Sequence, residues 1–103
     1  MKRRVVVTGM GIVSALGQSV DVAFDRLKKY ENCVEVLPEL GEYKGLNTRL
    51  ACRAGFVKPE GWSRKTTRSM GEVSMYALAA TEQALAQSGI GSETLEDGRT
   101  GVA

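Results

Sequence analysis

The chain has 103 residues, 43% of them apolar and 25% charged, with 14 Lys and Arg against 12 Asp and Glu. That length suits one small domain at most, the composition is that of a folded globular chain, and a net charge of +2 is too small to argue for nucleic acid. No apolar run approaches the roughly 20 residues of a membrane span, and Met1-Lys2-Arg3-Arg4 leads into too short an apolar stretch for a signal peptide, so the cytoplasm is the expected location.

The first element in chain order is a strand at Val5-Val6-Val7. Its β-branched residues suit a pleated, buried setting, and the lack of alternation suggests a central strand covered on both faces. The strand opens at Thr8 into a turn with glycines at 9, 11 and 17, where the backbone can adopt angles or approaches that a Cβ would block. Gly9-Met10-Gly11-Ile12-Val13-Ser14 invites comparison with the dinucleotide fingerprint, but Ser14 stands where the third glycine belongs. An acidic ribose ligand is wanted about 20 residues on, and Glu35 is an imperfect candidate. A small Rossmann-like nucleotide-binding protein is therefore one reading of this turn. The other is a tight turn leaving a central strand, with Thr8 and Ser14 as turn residues rather than nucleophiles, since no base is at hand.

Ser19 can cap a helix over about 19–30, with Asp21 at its positive end, Lys28 and Lys29 at its negative end, and Val20, Ala23, Phe24 and Leu27 as its apolar stripe. Residues 31–61 are punctuated by Gly41, Gly45, Gly55, Gly61, Pro38 and Pro59, with short extended pieces at 34–37 and 50–57. So long a loop implies support from elsewhere. Cys33 and Cys52 have neither metal-ligand nor redox-pair spacing and read as reduced, half-buried residues. With no histidine in the chain, a Cys–His nucleophilic pair is impossible within it.

The clearest element is a helix over about 66–88. Met70, Val73, Ala77, Ala80 and Ala84 follow helical spacing, Tyr76, Leu78 and Leu85 widen the apolar surface, and Glu72, Glu82, Gln83 and Gln87 form a narrow polar side. The alanines permit close approach by a neighbouring helix, and Gly89 sits where a left-handed cap is wanted. An acidic surface loop at 91–98 and a second strand at 99–103 follow. Strand, helices, strand is the parallel crossover order of an α/β fold, a β-α-α-β unit.

The basic cluster Arg64, Lys65 and Arg68 stands at the start of the long helix. Arg64 and Arg68, and Lys65 and Arg68, are surface neighbours there, yet three cations at that end oppose the helix dipole. Either they form a solvated patch or they face an acidic partner.

Three blocks carry a resemblance: Val5-Val6-Val7-Thr8-Gly9-Met10-Gly11-Ile12-Val13-Ser14-Ala15-Leu16-Gly17, Ser63-Arg64-Lys65-Thr66-Thr67-Arg68-Ser69-Met70 with the helix through Gly89, and Arg99-Thr100-Gly101-Val102-Ala103. In this order and spacing the chain resembles the opening of the β-ketoacyl-acyl carrier protein synthases, condensing enzymes of the thiolase fold. The resemblance implies that residues 1–103 are an incomplete N-terminal portion of such a domain, in a mixed, mostly parallel sheet layered with helices. It implies a decarboxylating Claisen condensation with malonyl-acyl carrier protein, in fatty acid or related polyene or polyketide synthesis, by a homodimeric enzyme. The family's nucleophilic cysteine and two histidines lie beyond the matched blocks, so no catalytic residue, cofactor or metal site is expected here, and the chain alone is expected to be inactive. Lys65 and Arg68 match positions where the family meets acyl carrier protein, with Arg64 taken as part of the same binding cluster, whereas Ser69 stands where some relatives carry a further lysine. A non-catalytic module that binds carrier protein or a partner synthase is a further reading.

Overall fold

The structure is a computed structural model and describes residues 2–103. Helix α1 spans Val20–Lys28 and starts as its sequence dictates, with the Ser19 hydroxyl accepting the Val22 N–H. Its end is closed by Tyr30 in the left-handed conformation, φ 57°. There the Tyr30 N–H donates to the Leu27 carbonyl and the Glu31 N–H to the Arg26 carbonyl, both at 3.0 Å, the Schellman pattern usually built on glycine. Ala23 is buried, while Phe24 and Leu27 of the same stripe remain more than half exposed.

Two short extended pieces fall inside the expected segments. Strand β1 (Glu35–Val36) pairs antiparallel with β2 (Leu50–Ala51), Glu35 opposite Ala51 and Val36 opposite Leu50. A 3₁₀ turn at Pro38–Glu42 follows β1, with Pro38 in its first turn, where a missing N–H costs nothing. Arg53 binds the carboxylates of Glu35 and Glu39 and ties this turn to the ladder.

The long helix is interrupted. Helix α2 is one turn, Arg64–Thr67, and α3 runs Glu72–Ser88. Between them Gly71 is extended (φ −77°, ψ 172°) and serves as the N-cap of α3, and glycine is a poor helix-interior residue. The far end conforms to expectation, since Gly89 caps α3 at φ 69°. The acidic loop holds a short helix, α4 (Ser92–Glu96), with Glu93 in its first turn.

The parallel crossover is not closed within these residues. Val5, Val6 and Val7 are 95%, 67% and 80% exposed, and neither they nor residues 99–103 make ladder hydrogen bonds among the described residues. A β-branched run supplies the propensity for a strand, but a strand exists only when a neighbouring backbone pairs with it. The cysteines also divide, with Cys33 half-buried as expected and Cys52 exposed. No helix among the described residues is long and apolar enough to cross a membrane.

What organises the interior is the glycine turn. Residues 9–12 cross α3 so closely that a Cβ on Gly9 would collide with the Ala84 carbonyl oxygen, and one on Gly11 with that of Ala80. The Met10 N–H donates to Gln87 Oε1 at 2.6 Å and the Ile12 N–H to Gln83 Oε1 at 3.1 Å. Gln83 Nε2 in turn donates to the Gln18 carbonyl at 2.6 Å. Gln83 and Gln87 are one helical turn apart, so two amides on one face of α3 engage alternate backbone groups of the crossing segment. The alanine surface thus receives a glycine-bearing strap rather than a second helix. Beyond it the turn closes through reciprocal Ser14 and Gly17 backbone bonds of 3.0 and 3.2 Å, and Arg26 of α1 donates to the Leu16 carbonyl at 3.1 Å.

This interior is thin. Ala23 and Ala79 are the buried apolar residues among those described, and the radius of gyration is 17.8 Å, against about 13 Å for a compact domain of this length. The residues form an open layer around α3 rather than a closed core.

Candidate functional site

The basic turn is built from its anchors outward. Upstream, the Trp62 N–H donates to the Pro59 carbonyl at 3.1 Å, and its ring lies 6.0 Å from that of Phe56. Phe56 meets Tyr76 of α3 edge to face at 5.1 Å, a favoured aromatic geometry that ties the preceding loop to the long helix. The Tyr76 hydroxyl faces Glu72 at 3.4 Å, and its pKa is raised by burial first and by that carboxylate second.

Ser63 then caps α2. Its hydroxyl accepts the Thr66 N–H at 3.2 Å and lies 2.8 Å from the Thr66 hydroxyl. Its carbonyl accepts the Thr67 hydroxyl at 3.2 Å, and Thr67 is the buried residue of the turn. The Arg68 N–H donates to the Arg64 carbonyl at 2.9 Å, so Arg68, the C-cap, stands one turn above Arg64.

All three expected residues are therefore brought together on one exposed turn. No carboxylate pairs with Arg64, Lys65 or Arg68 among the described residues, whereas Arg26, Lys28 and Arg99 each have one and Arg53 has two. The run Lys2-Arg3-Arg4 is equally basic but stands on neither helix nor strand. The turn thus presents an unneutralised cationic surface on a defined scaffold, suited to steering and orienting an anionic partner. The part taken by Ser63 and Thr67 is not singled out by sequence reasoning, although serine is a favoured N-cap residue.

The nucleotide reading fails on geometry. The space a pyrophosphate would need beside Gly9 and Gly11 is filled by the α3 backbone, and the amides of Met10 and Ile12 already serve Gln87 and Gln83. Nor does a helix begin at the turn, since α1 starts only at Val20. Ser14 is a turn residue, its hydroxyl accepting the Leu16 N–H at 3.2 Å.

Residues 2–103 match the family model described as Beta-ketoacyl synthase, N-terminal domain. The 3-oxoacyl-[acyl-carrier-protein] synthase 2 of Vibrio harveyi is 37% identical over 99% of this chain and 25% of its own length. The enzyme of the same name from Rhizobium meliloti is 35% identical over 92% of this chain and 24% of its own length. Among solved structures, a beta-ketoacyl synthase from Burkholderia phymatum STM815 superposes with a TM-score of 0.86 at 50% identity, over 99% of this chain and 26% of that one. The chain spans about a quarter of the length of these relatives. Its α/β fold is accordingly the N-terminal part of a thiolase-like fold, and the glycine strap, the broken helix and the basic turn lie within a backbone path that a solved synthase follows. The chain belongs to the beta-ketoacyl synthase family, and its residues 2–103 match the model of that family's N-terminal domain.

Proposed function

We propose that the gene product carrying this chain is a 3-oxoacyl-[acyl-carrier-protein] synthase, and that Arg64, Lys65 and Arg68 are part of the surface on which it receives acyl carrier protein. The reading is carried by the family match over residues 2–103, together with relatives that bear this name. In such a reaction an acyl group passes from a carrier thioester to an enzyme cysteine. The malonyl donor then loses carbon dioxide, and the resulting carbanion attacks the acyl carbon. The product is a 3-oxoacyl thioester two carbons longer, and the enzyme thiol is released. The cysteine and histidines for these steps are not assigned to this chain, which contains no histidine. Its own share is to seat the first segment of the fold on α3 and to present the cationic turn. The enzyme is proposed to act as a homodimer.

The basic turn fits an acidic protein partner better than a small anion. Its three charges are exposed and spread over one helical turn with no enclosing pocket, so they favour encounter and orientation over tight capture. The complete gene product, given acyl- and malonyl-acyl carrier protein, should release carbon dioxide and form the 3-oxoacyl product, whereas residues 1–103 expressed alone should do neither. Absence of condensation by the complete gene product would refute the enzymatic reading. Carrier-protein binding without turnover would favour the non-catalytic module.

A further inference from the structure

A single helical turn is far below the length at which a helix stands alone, and α2 has only four residues. It also carries no acidic residue in its first turn, so nothing on the turn offsets the clash of Arg64 and Lys65 with the dipole. Most of the hydrogen bonds that stabilise it converge on one residue. The Ser63 carbonyl accepts the N–H groups of Thr66 and Thr67, both at 3.1 Å, and the Thr67 hydroxyl. The Ser63 hydroxyl engages both the backbone and the side chain of Thr66. Thr67 is buried, so this is the link between the cationic turn and the body of the protein.

We infer that Ser63 is a positioning residue for carrier-protein docking: it holds Arg64, Lys65 and Arg68 in one register so that they engage the partner together. The inference rests on the docking role proposed above. Loss of the Ser63 hydroxyl leaves every charge and the carbonyl bonds in place but removes the cap on the Thr66 N–H and hydroxyl, so the turn holds its register less firmly. Long-range attraction, which depends on charge, is then unchanged, while the fitted complex separates sooner.

The test is stopped-flow association of the complete gene product with acyl carrier protein across a salt series. Ser63→Ala should raise the dissociation rate, up to about fivefold, the usual size of a lost N-cap. The association rate and its salt dependence should stay at the native values. Ser63→Thr, which retains a capping hydroxyl, should dissociate as the native protein does. Ser63→Gly, a milder cap loss that leaves the fold undisturbed, should fall between the two. An unchanged dissociation rate in Ser63→Ala, an equal rise in Ser63→Thr, or a parallel fall in association rate would overturn the inference. Lys65→Glu separates the two levels. If it slows association and Ser63→Ala has no effect, only the positioning role fails; if Lys65→Glu has no effect either, the docking reading fails and takes this inference with it.

Discussion

The glycine strap and the basic turn both lie against α3 or at its approach, and they treat polar groups in opposite ways. On the strap, the Met10 and Ile12 amides are matched by Gln87 and Gln83, and no side chain intervenes at Gly9 or Gly11. On the basic turn, the backbone is satisfied through Ser63, but the three cationic side chains are left open to solvent. Satisfied groups in close contact make a place that tolerates no change of volume. Unpaired charges on a capped, exposed turn make a place whose change costs the fold little. The first region is architecture, and the second is the one proposed above for recognition.

Substitutions should separate the two. The largest effect on stability is expected for Gly11→Ala, whose methyl would meet the Ala80 carbonyl oxygen. The strap must lift from α3, at about 3 kcal/mol, read as a lowered thermal midpoint of the complete gene product. Gln83→Ala should cost about 1 kcal/mol in the same measurement, because it strips the part-buried Ile12 N–H of its acceptor and removes an exposed bond to the Gln18 carbonyl. Tyr30→Gly should act in the other direction. Tyr30 is 95% exposed and holds a left-handed φ of 57°, so glycine relieves the backbone while its missing ring leaves no gap. A gain of about 1 kcal/mol is expected.

The smallest effect is a pH response at the end of the described chain. Hydrogen bonds from the Arg99 side chain, then from its backbone N–H, hold the Asp97 carboxyl below the ordinary carboxylate range. A carboxyl lowered in the folded state contributes above its unfolded pKa and loses that contribution as pH falls through the folded one. The Asp97–Arg99 link should therefore persist through neutral and mildly acidic pH and open below the usual aspartate range, followed by the Arg99 amide resonance. Asp97→Asn should abolish the response.

The parts legible in the sequence are those decided locally. Ser19 at the start of α1 and Gly89 at the end of α3 each act within one turn, so residue type alone places them. The basic triad is legible for the same reason. The strap is only half legible: the glycines announce a close approach, but Gln83 and Gln87 read as a solvent-facing side of the helix. Their partners lie 71 and 77 residues away, and periodicity cannot see across such a distance. The runs at 5–7 and 99–103 stay unpaired among the described residues for a related reason. They have strand composition, yet pairing depends on a neighbour that local pattern does not specify. The interruption at Gly71 is masked by apolar spacing that continues on both sides of it.

The contrast between the two regions is tested most directly by the salt dependence of carrier-protein affinity in the complete gene product, native against the Lys65→Glu, Arg68→Glu double variant. If the basic turn is a recognition surface, native affinity falls steeply with added salt. The variant should bind at least about tenfold more weakly at low salt with a flattened dependence, at an unchanged thermal midpoint. Equal affinities with parallel salt dependence, or a variant that loses stability as well as binding, would contradict the assignment of this turn to recognition.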